Sequence, residues 1–207
     1  MVESVKQAVT AGKIKLIQGV VQEALDDGAS AADILDTMSA AMDEVGAKFQ
    51  SGEIFVPEML VAAKTMQRGV GVLKPLLGGE GGAKYGKFVI GTVAGDLHDI
   101  GKNLVAMMVE SAGFEVIDLG VDVPAEKFVE AIQANPDCHV VGVSALLTTT
   151  MGNMKVVIDA LTAAGLRDNV KIMVGGAPVS EAFAKEIGAD GYSTNANEAV
   201  ALAKSLI

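Results

Sequence analysis

At residues 75–86 the hydrophobic period of the chain changes, and that change limits the folds open to it. The stretch reads Pro-Leu-Leu-Gly-Gly-Glu-Gly-Gly-Ala-Lys-Tyr-Gly and fits neither a helix nor a strand. Before it, apolar residues recur at three- and four-residue steps. After it, strand and helix patterns alternate. The sequence therefore predicts a helical domain over 1–76, a glycine-rich linker over 77–86 and an α/β domain over 87–207. Five glycines in so short a stretch predict an exposed, flexible connector.

In the first part, Ile14, Leu16, Ile17, Val20, Val21 and Leu25 mark a helical face that ends at Asp26-Asp27-Gly28. Ser30-Ala31-Ala32-Asp33 has the form of a capping box. The helix it opens carries Ile34, Leu35, Met38, Met42, Val45 and Phe49 on its inner face. Gln50-Ser51-Gly52-Glu53 reads as a turn, and Pro57 suits the first turn of a following helix, where its missing N–H costs nothing. That helix carries Met59, Leu60, Ala63, Met66, Val70 and Leu73. The expectation is a four-helix bundle with short loops.

In the second part, strands are expected near 87–93, 115–119, 138–144, 170–175 and 189–193. Helices are expected near 101–112, 124–134, 150–164, 178–187 and 195–206. Five β-then-α units imply a parallel, doubly wound sheet with right-handed crossovers. Aromatics make up only 4% of the chain and Trp is absent, so the core must be built from Val, Ile, Leu, Ala and Met. Such residues suit strands buried on both faces.

The chemistry concentrates on the loop after the first strand: Gly95-Asp96-Leu97-His98-Asp99-Ile100-Gly101-Lys102-Asn103. This is the carboxyl edge of the sheet, where open α/β folds bind ligands. An aspartate that accepts from one ring nitrogen of His98 would fix the tautomer and leave the other nitrogen as an outward lone pair. Two further signals lie on the same edge. The third strand ends in Ser144-Ala145-Leu146-Leu147-Thr148-Thr149-Thr150, and the fourth in Gly175-Gly176. Each has a simpler alternative: Asp96 as a helix cap, the threonines as another cap, the glycine pair as a tight turn. Together they outline a groove along one edge.

Counting residues narrows the metal chemistry. The chain has two histidines and one cysteine, and Cys138 and His139 sit at the opposite end of the sheet. No closed four-ligand zinc site can be assembled from these. One imidazole suffices only for a metal that arrives in a macrocycle with its equatorial ligands attached.

Other readings fail on spacing. Gly95 to Gly101-Lys102 encloses five residues where a phosphate loop has four, and Asn103 replaces the hydroxyl that would hold magnesium. No Gly-x-Gly-x-x-Gly follows the first strand. A phosphoacceptor receiver would need an aspartate where Ser144 stands, and a metal phosphohydrolase would need more histidines.

The formal net charge of −10 argues against non-specific nucleic-acid binding, which draws on Lys and Arg. A lone cysteine forms no disulfide within the chain, and no apolar run is long enough to span a bilayer. With no signal-type start, the expected home is the cytoplasm.

With these residues in place the resemblance is close. Asp96-x-His98-x-x-Gly101, Ser144-x-Leu146 and Gly175-Gly176 resemble the signature of the cobalamin-binding domain of cobalamin-dependent methionine synthase and of corrinoid methyl carriers. Gly46-Ala47-Lys48-Phe49 and Gly52-Glu53-Ile54-Phe55-Val56-Pro57-Glu58-Met59 resemble the helical cap that precedes that domain. The two-domain plan is similar to the stand-alone corrinoid proteins of the methanol, methylamine and glycine betaine methyltransferase systems.

The resemblance implies a Rossmann-like, flavodoxin-like domain that binds cobalamin, with a methylated form as the working intermediate. It implies that His98 replaces dimethylbenzimidazole as the lower axial ligand of cobalt, that Asp96 holds the far ring nitrogen and that Thr150 extends the relay. Ser144 would meet the displaced nucleotide tail, with Leu146 and Thr148 lining its slot and Gly175 and Gly176 giving it room. Phe49, Val56 and Met59 would shield the methyl group from the other side.

A chain of this kind is expected to be a non-catalytic carrier. Its implied partners are a substrate-specific methyltransferase, a corrinoid methyltransferase acting on tetrahydrofolate or a thiol, and a reductive activation protein. A cobalamin-dependent regulator, or the small subunit of an adenosylcobalamin mutase, is the alternative.

Overall fold

The computed structural model describes residues 2–76 and 84–207. Residues 77–83, most of the expected linker, lie outside the described residues. The chain divides into two compact units, one reaching to Lys84 and including Glu110–Gly113, the other formed by Tyr85–Val109 and Phe114–Ile207.

The first unit is helical: α1 (Val2–Thr10), α2 (Ile17–Asp26), α3 (Ala31–Gln50) and α4 (Val56–Leu73), followed by one 3₁₀ turn at Lys74–Leu76. Its core is the expected apolar set, with Ile34, Met38, Met59 and Met66 fully buried. Ser30 caps α3, its Oγ accepting from Asp33 N at 3.1 Å and donating to the Asp33 carboxylate at 2.7 Å. The helical face expected from Ile14 starts three residues late. Gly12 turns the chain at φ 63°, Lys13 N reaches back to Ala8 O at 2.8 Å, and Leu16 is left exposed before α2 begins.

The second unit alternates β1 (Lys87–Thr92), α5 (Ile100–Ser111), β2 (Glu115–Asp118), α6 (Ala125–Ala134), β3 (Cys138–Ser144), α7 (Gly152–Ala163), β4 (Lys171–Gly175), α8 (Glu181–Ile187), β5 (Gly191–Ser193) and α9 (Ala196–Ser205). A 3₁₀ turn, Arg167–Asn169, precedes β4. All pairings between these strands are parallel, in the order β2-β1-β3-β4-β5.

This sheet is covered on both faces, as unbroken apolar strands require. Val89, Val141, Val143 and Ile172 pack with Phe128 and Ile132 of α6, Met154 and Leu161 of α7, and Ile187 of α8. Phe88, Ile90, Val140 and Met173 pack with Val109 of α5 and with Ala199 and Ala203 of α9. Each fully buried apolar side chain contributes roughly 1.5–3 kcal/mol against exposure.

Two helices begin later than the apolar period suggests. Thr150, expected in α7, sits in the turn before it. Residues 178–180, expected in α8, form a turn in which Val179 N bonds Gly176 O at 3.0 Å and Ser180 then caps the helix. In both cases side-chain hydrogen bonds outcompete the first helical turn.

The strand order positions the site. Crossovers from β1 and from β3 leave in opposite directions, so a crevice opens between the carboxyl ends of these two strands. The loop carrying His98 follows β1, and the loop carrying Leu146 and Thr150 follows β3.

Candidate corrinoid site

Asp96 is fully buried and its carboxylate joins the two loops. Oδ1 accepts from His98 Nδ1 at 2.7 Å and from the His98 backbone N–H at 3.1 Å. Oδ2 accepts from Leu146 N at 2.8 Å, Leu147 N at 3.3 Å and Thr150 Oγ1 at 2.7 Å. Burial pushes the Asp96 pKa up. The bonds from Leu146, Thr150 and both His98 donors outweigh it and hold the carboxyl well below the ordinary carboxylate range.

An ionised carboxylate can only accept, so the proton of a neutral His98 ring lies on Nδ1. Nε2 then carries the lone pair. The His98 side chain is 50% exposed, and Nε2 makes no hydrogen bond to the described residues. The expected Asp96–His98–Thr150 arrangement is therefore present, with Asp96 as its centre. The capping alternative does not hold: Asp96 spends its oxygens on His98 and the β3 loop, and no side chain caps α7.

The other expected residues fall into three groups. Ser144 lies in register between Thr92 of β1 and Gly175 of β4 at the end of the sheet, and Leu146 and Thr148 are exposed beyond it. Gly175 and Gly176 have a packing reason of their own. A Cβ at Gly176 would overlap the carbonyl of Ala145, and its φ is 135°; at Gly175 a Cβ would stand 3.3 Å from Ser193 O.

Gly101 differs from that pair. It lies in the first turn of α5 without a positive φ, and a Cβ there would meet no atom within 4 Å. The fold alone does not require a glycine at this position. Phe49, Val56 and Met59 belong to the helical unit, where Met59 is fully buried, Phe49 half-buried and Val56 exposed.

Several residues of the site have no signature in the sequence. Thr92, fully buried, donates from Oγ1 to the His98 carbonyl at 2.9 Å. Asn153 Nδ2 donates to Ala94 O at 2.7 Å. Asp122 accepts from Gly95 N at 2.6 Å through Oδ1 and donates its own N–H to Asp96 O at 2.9 Å. Lys102, 3% exposed, binds Asp118 Oδ1 at 2.7 Å and Oδ2 at 2.5 Å, together with Asn103 Oδ1 at 2.7 Å. These partners lie 1 to 59 positions apart, and in the longer-range pairs only folding brings them together.

The donor set fits a metal that brings its own equatorial ligands. Among the described residues no group of three or more His, Cys, Asp or Glu side chains could hold a bare ion. One half-exposed imidazole with a fixed tautomer, beside an open glycine and the exposed Leu97, Ile100, Leu146 and Leu147, suits one axial position of an apolar macrocycle.

Fold and site together define a vitamin B12-binding α/β domain with a helical domain ahead of it. Residues 86–201 match the family described as "B12 binding domain", and residues 1–74 match a second family of the same description. The chain belongs to the cobalamin-binding corrinoid proteins of methyltransferase systems, and its cofactor is cobalamin.

It is 46% identical to the dimethylamine corrinoid protein of Methanosarcina barkeri over 209 residues, covering all of this chain and 97% of that one. Among solved structures it resembles a cobalamin-binding protein from Desulfitobacterium hafniense DCB-2, with a TM-score of 0.83 and 35% identity, over 100% of this chain and 98% of that one. It also resembles one chain in the structure of the methanol:cobalamin methyltransferase complex MtaBC of Methanosarcina barkeri, with a TM-score of 0.86 and 30% identity, over 97% of this chain and 77% of that one. Among the described residues no helix is long and apolar enough to cross a membrane.

Proposed function

We propose that this corrinoid protein carries a methyl group between two separate methyltransferases. One takes the methyl from a methylated amine, and the other passes it to tetrahydrofolate or a thiol. The amine is inferred from the dimethylamine corrinoid proteins to which the chain is similar over its whole length. The bound corrinoid supplies the cobalt that takes up and releases the methyl group.

The observation that carries this reading is the 2.7 Å bond from His98 Nδ1 to the buried Asp96 carboxylate. In this reading His98 Nε2 would hold the cobalt. Asp96 holds the tautomer, and Thr150 and the Leu146 N–H hold Asp96. Gly101, where a side chain would meet open space, would leave room for the corrin ring. Ser144, Leu146 and Thr148 take the nucleotide tail beside Gly175 and Gly176. By the resemblance, Phe49, Val56 and Met59 of the helical unit would be the residues that keep water from the methyl group. A reductive activation protein returns inactive cofactor to the cycle.

The test reconstitutes the protein with hydroxocobalamin, reduces it, and adds a dimethylamine-specific corrinoid methyltransferase with its substrate. The visible spectrum is expected to change only when amine, enzyme and protein are all present, and to revert when the acceptor methyltransferase is added together with its acceptor, tetrahydrofolate or a thiol. Uptake of corrinoid with no spectral change, either here or with methyltransferases specific for mono- and trimethylamine and their substrates, would overturn the donor assignment.

A further inference from the structure

We propose that Asp122, on the loop after β2, is a positioning residue for the axial histidine. It would act by fixing the peptide that carries Asp96. The inference rests on the reading of His98 as the axial donor.

Asp122 grips that segment from both directions. Its Oδ1 takes the Gly95 N–H at 2.6 Å, and its own N–H reaches the Asp96 carbonyl at 2.9 Å. The Gly95–Asp96 peptide link is thus held on each side by one residue. Asp96 Oδ1 in turn holds the His98 ring at 2.7 Å, so two steps separate Asp122 from the imidazole.

The backbone of Asp122 supports a specific role. Its φ is 53°, and it is the only non-glycine with positive φ among the described residues. An L-residue adopts this conformation at a cost that aspartate and asparagine bear best, so a side chain is kept here where glycine would be easier. The exposed position means that no core packing demands that side chain. What the side chain provides is the bond to Gly95.

The neighbouring contacts have the same direction. Thr92 N bonds Gly120 O at 3.0 Å, Val123 N bonds Thr92 O at 2.9 Å, and Val93 bridges to Val123. The loop 120–123 therefore runs along the end of β1 and the start of the His98 loop. Asp122 is the point where this contact becomes a side-chain bond. Asn153, on the other side, fixes only the carbonyl of Ala94.

The experiment uses the full chain loaded with cobalamin and reduced to the paramagnetic cobalt(II) state, with all histidines carrying the heavy isotope of nitrogen. Electron paramagnetic resonance then reports whether a protein nitrogen sits on cobalt. Three proteins are compared: wild type, Asp122→Gly and Asp122→Asn. Glycine relieves the backbone and removes the acceptor; asparagine keeps both the conformation and an acceptor oxygen. Asp122→Gly is expected to weaken corrinoid binding by about tenfold, the low end for a lost outer-shell partner of a metal ligand. It is also expected to reduce the isotope-sensitive splitting, while Asp122→Asn keeps both near wild type.

Wild-type affinity and splitting in Asp122→Gly would overturn the inference. So would equal losses in both variants, or loss of the cooperative melting transition in corrinoid-free Asp122→Gly, which would assign the residue to the fold as a whole. A wild-type protein with no histidine nitrogen on cobalt would instead overturn the reading of His98.

Discussion

The hydroxyl of Thr92, at the last position of β1, donates to the carbonyl of His98 at 2.9 Å. The strand end and the ligand loop are thus tied by a buried side chain six residues upstream of the histidine. Thr92→Val keeps the shape and removes the donor. It is expected to destabilise the protein by about 1 kcal/mol, read from denaturant unfolding, because the bond from the buried Thr92 hydroxyl to the loop is lost. Corrinoid affinity should fall in the same variant.

Asp96 links stability to pH. Its folded pKa lies below the unfolded value. Its contribution is therefore fully present above the ordinary carboxylate range and is lost as pH falls through that range towards the folded pKa. The corrinoid-free wild type is expected to lose stability over that acid window, and Asp96→Asn is expected to have a flatter profile there. Melting temperatures across a pH series check this. Equal slopes for the two proteins would contradict it.

Gly101 separates stability from binding. A methyl group at this helical position meets no atom, so Gly101→Ala should raise the stability of the corrinoid-free protein by up to about 1 kcal/mol. If the glycine serves the ligand, the same change weakens corrinoid binding. Unfolding curves and a spectroscopic titration of one variant give the two signs. A gain in stability with unchanged affinity would remove Gly101 from the site.

Lys102 and Asp118 form an ion pair beneath the first turn of α5, with the lysine side chain 1% and the aspartate side chain 38% exposed. Truncating the lysine leaves the part-exposed Asp118 carboxylate without its cation. Lys102→Met is expected to cost about 1 kcal/mol, and adding Asp118→Leu should recover part of the loss. A full double-mutant cycle by denaturant unfolding gives the coupling. Additive losses would show that the pair does not act as a unit.

Much of this was legible in the sequence because it is encoded locally. The five β-then-α units, the capping box at Ser30 and the ends of β3 and β4 follow from periodicity and turn chemistry within short windows. The Asp96–His98 contact was readable for the same reason, since two residues on one loop must be close.

What was not legible is held by long-range contacts. Nothing in the spacing of Asp122, Asn153 or Asp118 marks them as partners of the loop at 94–102. The backbone N–H groups of Leu146 and Leu147 carry no sequence signature at all. The late starts of α7 and α8 have a related cause. Thr150 and Ser180 fit a helical pattern, yet their hydroxyls serve Asp96 and the Phe183 N–H instead.

The most direct measurement is a crystal structure of the protein with cobalamin bound. The prediction is that His98 Nε2 is bonded to cobalt while Nδ1 remains on Asp96, and that the cofactor's own base is displaced into the groove by Ser144. Dimethylbenzimidazole still folded beneath the corrin, with the His98 ring turned away from the metal, would contradict the account at its centre.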